Sequence, residues 1–179
     1  MCNSITVRSR RLSRTRLERE HPGAAIIDVT SKGELPWQRF SPFFPVGGIP
    51  VPGWDGMTSE SVEGIWQGLK VFESADIDPS RFENAKMKGL KRTVRKHGRV
   101  LVHRFGGSDG ELLGYAGARN RIYIPAYRWV LEHRLAEEVR RLRDLLKSQP
   151  VVLLDFETND DVEDASKPLS HAGLVKRAT

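Results

Sequence analysis

Apolar residues recur at helical spacing in two stretches of the chain. In the first, Val62, Ile65, Leu69 and Phe72 fall on one side at about 100° per residue. Glu63, Gln67 and Lys70 form a second, polar stripe, with Trp66 between the two. The spacing predicts a helix over 61–72, capped by Thr58 or Ser59, with Glu60 at the positive end of its dipole. In the second, Tyr127, Val130, Leu131, Leu135, Val139, Leu142 and Leu146 predict one long helix. Pro125 sits in its first turn, it reaches about Lys147, and Pro150 ends it. A third helix is predicted from about Phe82 to Lys96, because Ser80 and Glu83 have capping-box spacing. Short β-branched or apolar runs at Ala24–Val29 and Val100–Phe105 predict strands, and Val151–Asp155 predicts a strand or a buried turn. Together these predict an α+β fold, mostly helical, with a few short strands.

Between these elements lie three unusual segments. Residues 34–56 are crowded with Pro, Gly and aromatics, including Trp37, Phe40, Phe43 and Trp54. Such a loop has to pack on something or line a pocket. Residues 155–164 are acidic and stand between apolar neighbours, which predicts a loop held at both ends. Residues 1–22 form a basic arm carrying Arg8, Arg10, Arg11, Arg14, Arg16 and Arg19, and residues 23–179 form a single domain. The arm is expected either to grip phosphates or to be a solvated helix or frayed terminus.

Composition narrows the function. The net charge is +6 and the pI about 9.7, a balance that favours phosphate-bearing partners. Hydrophobic residues make up 39% and charged residues 29% of the 179, as in soluble globular chains. No apolar run approaches the roughly 18 residues of a membrane span. Cys2 is the sole cysteine, so no internal disulfide or cysteine-based zinc site is expected, and the five histidines show no metal-ligand spacing. With no apolar leader segment, a cytoplasmic location is expected.

No Walker A, Rossmann glycine pattern, nucleophile elbow or zincin motif is present. What remains is a pair of distant carboxylate sites, Glu63 and the Asp160 region. Two carboxylates with an amide and cations nearby suit cleavage of a glycosidic bond. One can balance an oxocarbenium-like sugar or activate water, and the other can orient or protonate.

Several segments also resemble the NADAR family, the YbiA-like N-glycosidases. Phe40-Ser41-Pro42-Phe43 is similar to its F-S-N-F segment, and Ser61-Val62-Glu63 with Gln67 and Lys70 resembles its S-x-E-H-x-x-Q-x-x-K-F helix. Lys88, Leu90 and Arg92 match its basic helix, and Leu153–Asp160 matches its late L-x-E-x-x-x-N-D segment. Ile26-Ile27 with Ser31 matches its opening strand and turn, so the likeness covers residues 24–175 in order. Gly64 stands where the family usually has His. The family tryptophan before the long helix has no direct counterpart, with Tyr115 and Arg119 nearby, and its late W-G-x-G is replaced by Asp164–Pro168.

The resemblance implies hydrolysis of an N-glycosidic bond of an ADP-ribosylated base or of a ribosylamino-pyrimidine phosphate, with Glu63 and Asp160 catalytic. No metal or other cofactor is expected. Gln67 is expected to orient Glu63 or the substrate, and Asn159 to help Asp160 hold ribose hydroxyls. Lys70, Lys88 and Arg92 are expected to meet phosphate, and Phe40, Phe43 or Trp66 to stack on the base. A different class is also open: a non-catalytic protein that binds nucleic acid through Arg8–Arg19, or binds ADP-ribose.

Overall fold

The computed structural model describes residues 3–179; Cys2 lies outside them. In chain order the elements are β1 (Ile5–Ser9), α1 (Arg14–Glu20), β2 (Ala25–Asp28), a 3-10 turn (Trp37–Phe40), β3 (Ile49–Pro50) and β4 (Thr58–Ser59). Then come α2 (Val62–Gly68), β5 (Lys70–Phe72), a second 3-10 turn (Pro79–Arg81), α3 (Val94–His97), β6 (Val100–Phe105) and β7 (Glu111–Leu113). The chain continues through α4 (Tyr115–Ala118), a π turn (Arg119–Tyr123), α5 (Ile124–His133), α6 (Ala136–Ser148), β8 (Val151–Asp155) and α7 (His171–Ala178). Helices and small sheets are mixed along the chain, an α+β organisation. No helix among the described residues is long and apolar enough to cross a membrane. The chain divides into two compact units, one running to Ser41 and resuming at Leu131–Thr179, the other Pro42–Val130.

The first unit is built on β8. Both β1 and β2 pair with it in parallel, with Val7 and Ile27 each in register with Leu153. A strand flanked on both sides reads as a continuous apolar run, and Val151, Val152 and Leu153 are all buried. Leu17 of α1 and Leu142 of α6 add fully buried side chains, each worth roughly 1.5–3 kcal/mol. The expected arm is therefore corrected: residues 5–20 are an integral strand and helix of this unit. Their arginines are largely used internally. Arg10 pairs with Asp28 at 2.7 Å, Arg14 with Glu18 and Arg16 with Glu20 at 2.6 Å, and Arg8 with Glu20.

The second unit holds the antiparallel sheet β5–β6–β7, the small β3–β4 ladder, and α2 packed beside the π turn. Ser61 caps α2, its side chain accepting from the Gly64 N–H at 3.0 Å; Thr58 and Ser59 instead form β4. The helix stops at Gly68, four residues short of expectation. A Cβ there would lie 2.5 Å from the Phe82 ring, so only glycine permits this approach. Beyond Leu69 the β-branched Val71 leads into β5, which places Lys70 on a strand rather than on the helix.

Two predicted helices are also corrected. Over 82–96 only Val94–His97 is helical. Asn84 competes with a helix by accepting from the Lys86 N–H and donating to the Lys88 carbonyl, and Gly89 has a positive φ of 75°. Ser80 bonds Asp78 and makes no capping box. The long helix is broken at Leu135, whose φ of −124° and ψ of 17° leave the helical region. Arg39 takes up the break, donating to the Arg134 carbonyl at 3.2 Å and pairing with the buried Glu138. The acidic loop is tied at both ends, as expected. Asn159 forms a parallel bridge with Leu169, and its side-chain amide donates to the Asp164 and Lys167 carbonyls.

Candidate functional site

Glu63 lies in the first turn of α2, 7% exposed. The Gln67 amide, one turn on and equally buried, donates Nε2–H to Glu63 Oε1 at 2.8 Å. Gln67 Oε1 accepts from the Arg92 backbone N–H at 3.1 Å. With both ends of the amide committed, its orientation is set by the network, and it presents a donor to the carboxylate. The departure at Gly64 has a local cause. A Cβ there would meet the Arg81 carbonyl oxygen at 2.7 Å and Ser59 Oγ at 2.9 Å, so no side chain fits and histidine is excluded from this turn.

Arg92 is buried, but not as a free cation. Its guanidinium donates to the carbonyls of Lys70 at 2.7 Å and Asp76 at 2.6 Å, and lies 4.7 Å from the Phe72 ring centroid. It serves as a clamp behind the end of α2, which corrects its expected role as a phosphate ligand. Lys70 is half-buried. Burial lowers its pKa, the Glu63 carboxylate works in the opposite direction, and Lys91 and Arg92 add to the lowering. Lys91, exposed, places its ammonium 5.6 Å from the Phe43 ring centroid.

Trp66, half-buried on α2, packs against His103 of β6 at 3.9 Å between ring centroids. Tyr115 and Tyr123 meet Trp66 edge-on at 6.1 and 5.6 Å. His103 is directly opposite Lys70 across the β5–β6 ladder, so both side chains lie on one face of that sheet. The ring is 2% exposed, and burial followed by the Lys70 charge pulls its pKa down to about 3. It is a neutral imidazole at neutral pH. Arg119, noted in the sequence only as a neighbour of a missing tryptophan, is fully buried at the start of the π turn, a feature frequent at functional sites.

Of the expected site residues, then, Glu63, Gln67, Lys70, Arg92 and Trp66 belong to one neighbourhood of the second unit. Phe43 sits under Lys91, and Lys88 is exposed in the turn closed by Asn84. Phe40, Asn159 and Asp160 belong to the first unit. Phe40 is fully buried against Trp37 and cannot stack on a ligand; the apolar 3-10 turn sends it into the core. Asn159 is occupied with its own loop. Asp160 accepts from Lys176 Nζ at 2.9 Å, which outweighs partial burial and holds its pKa below the usual range. It lines a shallow surface hollow with Asp161, Gly173, Lys176 and Arg177. Such a carboxylate stays an anion: it can accept hydrogen bonds from hydroxyls but cannot serve as an acid near neutral pH.

Sequence reasoning missed a second polar centre, in the first unit. Asp155 Oδ2 accepts from Ser170 Oγ at 2.7 Å, from His171 Nδ1 at 2.9 Å and from the Ala172 N–H at 3.3 Å. His171 Nε2 donates to the Val29 carbonyl at 2.9 Å. Both ring nitrogens face acceptors, so both carry protons. Burial alone would lower the His171 pKa, but the Asp155 charge, with the hydrogen bonds to Asp155 and Val29, raises it. Asp155 is correspondingly lowered, its three donors outweighing burial. The one signal available was Ser170, a helix-capping residue following the acidic loop.

The model of a family of unknown function, DUF6939, matches residues 9–175, and the chain belongs to that family. No curated protein matches the chain significantly.

Proposed function

Starting from that membership, we propose that the chain hydrolyses the N-glycosidic bond of a phosphorylated ribosyl or ADP-ribosyl compound, an ADP-ribosylated base or a ribosylamino-pyrimidine phosphate. One observation carries this reading: a buried carboxylate, Glu63, oriented by Gln67, with the half-buried Lys70 close enough to feel its charge and an aromatic wall at Trp66. In the reaction the bond between the anomeric carbon and the base nitrogen breaks, its electron pair leaving with the base. Water adds to the carbon, one of its protons ending on the base. Glu63 balances the positive sugar and takes up the water's proton in transit. Lys70 and Lys91 meet phosphate.

Candidate ADP-ribosylated and ribosylamino substrates are to be screened for released base. Glu63→Gln keeps the size and the helix, and is expected to lower turnover by a factor on the order of 10² or more. Wild-type-like turnover of a verified substrate by that variant rejects the assignment. The reaction is placed in a reducing cytoplasm, which suits a chain with one cysteine.

A second reading is favoured by a separate observation. Lys86, Lys88, Lys91, Arg95 and Lys96 are all exposed on one short segment, whereas most of the Arg8–Arg19 cations are paired. A non-catalytic nucleic-acid or ADP-ribose binder would use that segment. Its affinity would fall steeply with salt and drop when Lys86, Lys88, Arg95 and Lys96 are replaced by alanine. Unchanged affinity in that variant removes this reading.

A further inference from the structure

His103 presents an unusual combination. Its ring is 2% exposed, yet its Nε2 has no hydrogen-bond partner among the described residues. A buried nitrogen left unpaired is destabilising, and a leucine or phenylalanine would fill the same space without that cost. The neighbours do not supply a partner. Trp66 offers a ring face at 3.9 Å, Lys70 stands across the ladder, and Leu113 opposes it from β7. The other rings beside Trp66 are Tyr115 and Tyr123, each nearly perpendicular to it.

This environment has a definite chemical preference. Aromatic faces and edges suit a planar ring. Nε2 of a neutral imidazole offers an N–H or a lone pair according to tautomer, so it can meet an acceptor or a donor on a heteroaromatic base. Its neutrality also matters for the proposed chemistry. A second cation beside a developing oxocarbenium ion would oppose the reaction, whereas an uncharged imidazole can hold the departing base without that penalty, as a neutral histidine does when it acts as an electrophile elsewhere.

We propose that His103 Nε2 is the polar contact for a planar heteroaromatic ring, the base of the substrate, bound beside Trp66 at the Glu63 site. This rests on the glycosidase reading for the identity of the ring as a leaving group, but the contact itself is tested by binding. The full-length protein with ¹⁵N-labelled histidine is titrated with the four nucleoside 5′-monophosphates and, separately, with ribose 5-phosphate, up to millimolar concentration. At least one nucleotide is expected to move the His103 Nε2 resonance, and ribose 5-phosphate is expected to leave it in place. If no nucleotide moves it, or if ribose 5-phosphate moves it equally, the proposal is overturned.

A variant separates this role from a structural one. His103→Phe keeps a ring against Trp66 and removes the unpaired nitrogen. Its Tm is expected to match or exceed that of the wild type, while affinity for the responsive nucleotide falls by about tenfold. Retained affinity overturns the contact even if the Tm rises. Should His103→Phe fail to fold, His103→Gln, which can return a polar group to the Nε2 position, gives the second measurement: affinity for the responsive nucleotide is expected to lie within about tenfold of wild type, and complete loss of that affinity in a folded His103→Gln variant overturns a hydrogen-bonding role. Retained turnover in Glu63→Gln with an intact His103 response would remove Glu63 as the catalytic group, and no released base from any candidate substrate with an intact His103 response would remove the hydrolase; either leaves this contact standing. The reverse pattern would remove the contact alone.

Discussion

His103 and His171 are closed off from solvent almost equally, at 2% and 7% exposed, yet their rings carry opposite charge states. His103, in the 42–130 unit, has a cation across the ladder and no acceptor at Nε2; burial wins and the ring is neutral. His171, in the other unit, has a carboxylate on one nitrogen and a carbonyl on the other; the partners win and the ring is an imidazolium. Burial alone does not decide the charge of a histidine. What decides it is whether the fold supplies acceptors to offset the loss of water. The two roles follow. A ring with both nitrogens satisfied fastens structure together, while a ring with one nitrogen unpaired is available to a ligand.

The hardest test of this contrast is Asp155→Ala. It strands the His171 charge and also removes the acceptor of Ser170 and Ala172, and is expected to cost about 3–5 kcal/mol in urea unfolding at pH 6. A loss below about 1 kcal/mol would mean that His171 is not held as a cation.

The acid side of the stability profile comes next. The folded-state pKa of His103, about 3, lies below the unfolded value near 6.5, so the unfolded chain takes up a proton that the folded chain refuses. Stability is expected to fall as pH drops from 6.5 towards 3, this residue contributing up to about 1.4 kcal/mol per pH unit. Urea midpoints of wild type and His103→Phe between pH 7 and 4.5 should diverge by that slope. Parallel profiles would show that His103 titrates normally.

The smallest effect lies on the alkaline side and has the opposite sign. The folded-state pKa of His171 is raised, so its contribution is complete below the unfolded value and is lost as pH rises through the folded one. Wild type should lose stability relative to His171→Asn as pH rises above 6.5. Equal slopes for the two proteins would place His171 among ordinary neutral histidines.

Much of the frame was legible beforehand. The runs at 25–28, 100–105 and 151–155 are strands because β-branched residues with no competing local bonds have few alternatives. The start of α2 was legible, and with it Glu63 and Gln67 one turn apart on the same side. Where prediction failed, either a contact remote in sequence intervened, as with Phe82 and Arg39, or a side chain bonded its own neighbours, as Asn84 does. Phe82 stops α2 at Gly68, Asn84 bends the chain out of a helix, and Arg39 stabilises the break at Leu135. The roles of individual cations failed for the same reasons. Lys88 and Arg92 look alike in sequence, but one is exposed in a turn and the other is bonded to three backbone carbonyls.

By itself, then, the order of residues determined which stretches are strongly periodic, which carry charge, and that a carboxylate and an amide share a side of one short helix. Those are properties of neighbours within a turn or a strand, where spacing and geometry are nearly the same thing. Only the tertiary structure decided that Lys70 faces His103, that His171 meets Asp155 and Val29, and that one imidazole is charged while the other is not. Charge state depends on solvation and on partners far along the chain, and these exist only once the chain has closed around them.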